Sequence, residues 1–297
     1  MAKLTGITEE KAIKSESLWS ISFRRMRKNR TAIAGIIILF VFAVIAIFAP
    51  LIAPYDPFDQ NFIMSFRPPS AENFLGTDEF GRDVFSRIIY GARISLQIGF
   101  VSVFISLILG VSLGLVAGYY GGWLDMLIMR IMDLMLSFPY ILLALVIMSI
   151  LGPGIFNAMI AIGIVYVPQY ARIVRSSVLS VKKKEYVMAA QALGASDLRI
   201  ILKHVFLNSM APIIIQTTLS IGRAIINAAG LSFLGLGAQP PTPEWGAMLS
   251  NGQDFLRNAP WIATFPGIAI ALLVLGFNLV GYGFRDAFDP RLHKKNN

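Results

Sequence analysis

The sequence predicts an all-α membrane protein with six transmembrane helices. Three observations lead there. Hydrophobic residues make up 56% of the 297 residues and charged residues only 14%, whereas a soluble chain carries about a quarter charged residues. Mean hydropathy is +0.66, so lipid is the main solvent of the chain. The apolar residues also gather into charge-free stretches, and about 20 helical residues at about 1.5 Å rise each match a bilayer core of about 30 Å.

The stretches follow in order. Residues 31–53 form the first expected span, a run of Ile, Phe, Val and Ala that stops at Pro54 and the Asp56-Pro57 turn signal. The polar and basic segment 1–30 precedes it, and the apolar run exceeds a signal-peptide core, so it is expected to persist as an anchor. A polar connection, 54–93, leads to a second span at 94–118, ended by Gly121-Gly122. Residues 134–171 carry no charge and are too long for one span; Gly152-Pro153-Gly154 divides them into a third and a fourth. The fifth span is expected at 207–230 and the sixth at 261–284, completing a five-helix core over 94–284 before a tail at 285–297.

Charge asymmetry orients the chain. Lys and Arg number eight in 1–30, seven in 172–203 and four in 285–297, against five in the two long connections on the other side (Arg67, Arg82, Arg87, Arg93 and Arg257). Both termini are therefore expected to be cytoplasmic. In the N-terminal segment, Leu18, Trp19, Ile21, Phe23 and Met26 alternate with Arg24, Arg25, Arg27, Lys28 and Arg30. That pattern fits either a helix in the headgroup region or a plain positive-inside flank.

Composition also excludes functions. The formal charge of +9 is explained by topology, not nucleic-acid binding. With no cysteine, and only His204 and His293 as histidines, neither a disulfide framework nor a zinc cluster is expected. No G-x-x-x-x-G-K-[ST] phosphate loop occurs, so no ATP site is expected on this chain. No general base or nucleophile stands out either.

The cytoplasmic connection within 175–206 is the most informative segment. Glu185 to Leu193 reads as a short helix, Gly194 suits a left-handed C-terminal cap, and Ser196 or Asp197 can cap the helix that follows. Ala189 and Ala190 give it a smooth face. On these residues alone it is either a protruding contact element or an ordinary connection. Arg223 is the one basic residue deep in an apolar stretch, about 20 Å along the fifth helix. A central arginine costs about 2.5–3.5 kcal/mol in lipid, so it lines a pathway, pairs inside the bundle or snorkels. Asp78, Arg82 and Asp83 read as a loop held by ion pairs. Gly235, Gly237 and Pro240-Pro241 read as a stiff turn out of the fifth helix, and Arg130 is expected to pair with Asp133 three residues on.

Several of these motifs coincide with one family. Ala189-Ala190, Gln191 and Gly194, followed by a hydrophobic segment, resemble the EAA loop of binding-protein-dependent ABC importer permeases. Leu75-Gly76-Thr77-Asp78-Glu79-Phe80-Gly81-Arg82-Asp83, Tyr90-Gly91-Ala92-Arg93, Leu231-Ser232-Phe233-Leu234-Gly235-Leu236-Gly237 and Arg285-Asp286-Ala287-Phe288-Asp289-Pro290 are similar to C-type permeases for dipeptides, oligopeptides and nickel. The resemblance implies the type I importer fold and a bacterial or archaeal cell membrane, the inner one where there are two. It implies a homologous second permease, two ATP-binding subunits carrying ATP and Mg, and an extracytoplasmic substrate-binding protein. It makes Glu185, Ala189, Ala190, Leu193, Gly194 and Ala195 the coupling contact. Met188 stands where the family has Glu, Phe206-Leu207 replace Leu-Pro, and Ala228 and Tyr282 replace acidic residues.

Delivery from outside also requires a docking surface, for which Asp56, Asp59, Glu72 and Glu244 are candidate rim charges and Trp245 a candidate apolar anchor. The expected function is translocation of di- or oligopeptides, with nickel chelates or glutathione as alternative cargo. An ATP-independent secondary transporter would show inverted repeats and intramembrane carboxylates, and the spans hold almost no acid.

Overall fold

The computed structural model describes residues 24–288; the expectations for 1–23 and for 289–297 lie outside them. The described residues are helical with no extended strands, and five helices are long and apolar enough to cross a membrane, or six if one bent pair counts as a span.

The first helix, α1 (Arg30–Ile47), starts where the Asn29 side chain accepts hydrogen bonds from the Thr31 and Ala32 amides, satisfying two donors that a helix start leaves open. Its large residues Ile37, Phe40, Val41 and Ile47 are exposed, as suits a lipid-facing surface. The polar connection then ends ten residues before the expected point. Asp83 caps α2 (Val84–Tyr120), a helix of 37 residues, by accepting from the Ser86 amide at 2.7 Å. At about 55 Å, α2 exceeds the bilayer core, so its first turns project beyond it. Arg87 and Arg93, counted above as loop charges, therefore stand on this helix.

The third expected span is broken. Helices α3 (Gly122–Leu136) and α4 (Tyr140–Leu151) meet at an angle of 96°, because Pro139 offers no amide donor and forces residue 138 out of the helical region. Asp133 does not pair with Arg130; it accepts from Arg172 at 2.6 Å, while Asp125 meets Arg175. Both ion pairs fasten α3 to α5 (Ile155–Val181). The Gly152-Pro153-Gly154 turn lies where expected, with both glycines at positive φ.

α5 is the centre of the bundle: 67% of its most apolar stretch is buried, against 17% for α1. It packs on α2 along a line of small residues, Ser102, Ser106, Gly110, Gly114 and Gly118, one every fourth position. This spacing brings two helical backbones close. The Ser106 hydroxyl donates to the Gly163 carbonyl at 2.8 Å, and Gly110, Gly114 and Gly118 lie against Tyr170, Val174 and Val178. Two further long helices, α7 (Met210–Phe233) and α9 (Trp261–Phe288), complete the core, with α1 lying on α9 where Gly35 meets Gly276. Between α5 and α7 runs the short α6 (Glu185–Ala192), and α8 (Trp245–Gly252) lies before α9.

Candidate functional site: the two ends of the bundle

At the lysine-rich end, residues 182–206 fold as a hairpin of short helices. The α6 helix stops in a complete left-handed cap: Gly194 has φ +76°, its amide donates to Gln191 O at 2.9 Å, and the Ala195 amide donates to Ala190 O at 3.1 Å. Ser196 then occupies the capping position of the turn Asp197–Ile200, without a side-chain bond of its own, and the chain continues as a π-helical stretch, Ile201–Phe206.

Val187, Ile200 and Val205 are fully buried and seat the hairpin on the core. Asp197 accepts from the Tyr119 hydroxyl at 2.7 Å, and Lys182 Nζ donates to Tyr119 O at 2.5 Å. The hairpin is thus tied to the last turn of α2. Its outer side is apolar and uncovered: Tyr186, Met188, Leu198 and Leu202 are exposed, and Leu193 is 87% exposed. Glu185, Ala189 and Gly194 share that exposed side, while Ala190 and Ala195 are half-buried. Apolar side chains set among Lys183, Lys184 and Arg199 form the kind of patch that a protein partner covers.

The opposite end is a cap. Asp78 accepts from the Phe80 and Arg82 amides, both at 2.9 Å, and from Arg82 Nε at 2.6 Å. Arg82 also reaches Glu79 at 3.3 Å, and Arg87 lies 3.5 Å from Asp78. Arg87 Nη1 donates to Pro57 O at 2.9 Å and Pro241 O at 3.3 Å, joining the connection before α2 to the one before α8. The ion-paired loop read from Asp78 and Arg82 is present. Asp83, expected within it, instead caps α2 and accepts from Asn73.

Two of the expected docking residues are not at the surface. Trp245 is fully buried: its indole donates to Ile88 O at 3.0 Å, stands over Gly91 and meets Phe42 edge-on at 5.7 Å. It anchors α8 to α2, not a partner to this chain. Glu244 is 2% exposed and caps α8 by accepting from the Gly246 and Ala247 amides at 2.9 and 2.8 Å. Burial pushes its carboxyl above the usual carboxylate range, and these hydrogen bonds pull the other way. Glu244→Ala should therefore lower the stability of the purified protein by about 1–2 kcal/mol, the cost of losing a cap. Thermal unfolding of the variant should show this, with Glu244→Gln intermediate. Asp56, Asp59 and Glu72, by contrast, are exposed and border an open cavity of about 350 Å³ with Gln60 and Asn61.

Arg223 is exposed at mid-helix on α7, Tyr282 is exposed on α9, and Ala228 is buried on α7. The Tyr119 latch and the bridge from Arg87 to Pro57 and Pro241 left no local signature in the sequence, since those partners lie 30 residues or more away.

A bundle of apolar helices, capped on one side and presenting an uncovered apolar hairpin on the other, defines a multi-pass membrane protein. The chain belongs to the family of binding-protein-dependent transport system inner membrane components, which it matches over residues 110–294. Residues 17–69 match the N-terminal transmembrane domain of oligopeptide transport permease C. It is 55% identical to the dipeptide transport system permease protein DppC of Alkalihalophilus pseudofirmus, over 93% of this chain and 91% of that one. It is 49% identical to the di/tripeptide transport system permease protein DppC of Pseudomonas aeruginosa, over 89% of each. A glutathione transport system permease protein, GsiD of Escherichia coli, is 47% identical over 92% of this chain and 91% of that one. The fold resembles that of an inward-facing structure of the MetNI methionine ABC transporter, with a TM-score of 0.57 and 19% identity over 68% of this chain and 96% of the other.

Proposed function

We propose that the chain is the C-type permease of an ABC importer that carries di- or oligopeptides across a bacterial cell membrane. The observation that carries this reading is the 55% identity to a dipeptide permease along 93% of the chain. A second, homologous permease completes the pathway, two ATP-binding subunits hold ATP and Mg, and an extracytoplasmic binding protein delivers the peptide. This chain hydrolyses nothing itself. Its hairpin seats on an ATP-binding subunit through Glu185, Ala189, Ala190, Leu193, Gly194 and Ala195. Glutathione, a tripeptide, is the second cargo, favoured by the 47% identity to a glutathione permease.

The test is uptake by proteoliposomes containing the assembled complex. Peptide should accumulate only with both ATP and the binding protein present, and competition by glutathione ranks the two cargoes. Uptake without ATP, or none at saturating binding protein, would overturn the reading.

The exposed acids of the outer cavity are the docking rim. Rim charges act mainly on association and its salt dependence. Reversal of Asp56, Asp59 and Glu72 to Lys should lower binding-protein-stimulated ATPase activity by about threefold to tenfold at low salt and leave basal hydrolysis unchanged. Unaltered stimulation and salt dependence would move the dock to the partner permease.

A further inference from the structure

One edge of α7 is polar along most of its length. Gln216, Ser220, Arg223 and Asn227 follow at intervals of four, three and four residues. At about 100° per residue they stay within an arc of about 60° and rise about 16 Å along the helix. The neighbouring α5 answers with polar groups at the same levels. Gln216 Nε2 donates to Gln169 Oε1 at 3.2 Å and to Ser220 Oγ at 3.0 Å, and Asn227 Nδ2 donates to the Tyr166 hydroxyl. Ser220 and Tyr166 are buried, Gln169, Gln216 and Asn227 half-buried, and Arg223 exposed.

Arg223 is the odd member of this row. Among the described residues its guanidinium has no ion pair or hydrogen-bond acceptor, and neither α4, α5 nor α7 contains an acidic residue that could supply one. Lipid cannot solvate it at mid-span. It therefore faces water or a group that these three helices do not supply. The groups above and below it are amides and hydroxyls, which both donate and accept, the pairing that a peptide bond requires. In this chain they pair with one another, so a passing ligand can exchange with them without leaving any group unsatisfied.

We propose that this stripe is the peptide-reading wall of the pathway: Arg223 takes the free terminal carboxylate of the cargo, and Gln216, Gln169 and Asn227 take its backbone amides. The proposal rests on the peptide-permease reading above and adds the site and the ligand group it selects. A guanidinium and a carboxylate form a strong charge-assisted pair, so peptides lacking a free terminus are disfavoured.

Because the chain has no cysteine, single thiols report on this wall directly. In the assembled complex in proteoliposomes, Gln216→Cys, Arg223→Cys and Asn227→Cys should react with a charged, membrane-impermeant thiol reagent. Phe40→Cys, on the exposed apolar side of α1, should not. In parallel, uptake of a dipeptide is compared with that of its C-terminal amide, at concentrations that fill the binding protein equally. Arg223→Met should reduce the preference for the free carboxylate about tenfold, the scale of a hydrogen bond to a charged group, and Arg223→Lys should retain most of it. Unreactive thiols at the three positions, or an unchanged preference in Arg223→Met, would overturn the proposal. If Arg223→Met fails to assemble, Arg223→Lys and the thiol pattern decide it. A wild-type complex that transports neither peptide would overturn the peptide reading instead, and thiol reactivity would then decide separately whether the stripe lines the pathway.

Discussion

Gly194→Val should reduce peptide uptake and binding-protein-stimulated ATPase activity at least about tenfold while leaving the amount of membrane-inserted protein unchanged. The reason is conformational and local. Gly194 has φ +76°, and a Cβ placed there would meet no atom within 4 Å, so the obstacle is the backbone region and not a neighbour. A left-handed residue costs an L-amino acid about 1–2 kcal/mol, and a β-branched one is a genuine outlier there. The hairpin escapes by unwinding the cap, which breaks the Gly194–Gln191 and Ala195–Ala190 hydrogen bonds and redirects Leu193, the most exposed apolar residue of the tip. The buried Val187, Ile200 and Val205 keep the rest of the hairpin seated, so folding survives and coupling does not. Gly194→Asn, which tolerates the left-handed region, should retain most activity. Wild-type uptake by the valine variant would show that the tip does not transmit ATP hydrolysis.

What could be read from the sequence, and what could not, divides by the range of the interaction. Gly194 and the Gly152-Pro153-Gly154 turn were legible because a positive-φ position and a proline act on their own few residues. The apolar stretches were legible because burial in lipid is a property of composition. Arg87 and Arg93 interrupt the hydropathy signal at the start of α2, although Asp83 is itself a favoured helix-capping residue type. The break in the third span was also in the sequence: Pro139 lies inside a charge-free stretch, and attention to charge alone passes over it. Trp245 and Glu244 were misplaced for a different reason. A tryptophan and a glutamate in a connection read as surface residues, and only the tertiary fold sets the indole over Gly91 and the carboxylate on its own helix start. Asp133 similarly has a good local partner in Arg130 and a better distant one in Arg172.

The row of small residues at every fourth position of α2, recognised only once its packing on α5 is known, supports the second large effect. Gly114→Leu should prevent recovery of a folded, monodisperse complex. A Cβ on Gly114 would lie 2.6 Å from Ala171 O and 2.7 Å from Val174 Cβ, and the first of these is backbone that cannot rotate away. Even alanine therefore requires α2 and α5 to separate; leucine adds three further carbons to the same gap. Overpacking of a close-packed interior costs about 1–3 kcal/mol or more. Here separation also breaks the Ser106–Gly163 hydrogen bond and shifts the end of α2, where Tyr119 holds Asp197 of the hairpin. Loss should therefore be graded, with Gly114→Ala lowering the unfolding temperature and impairing coupling before Gly114→Leu removes the folded protein. Phe104→Leu on the exposed side of the same helix should be silent, although it alters a larger side chain in the same apolar stretch. If the two leucine variants behaved alike, the apolar character of α2, and not its close fit to α5, would be what holds the bundle together.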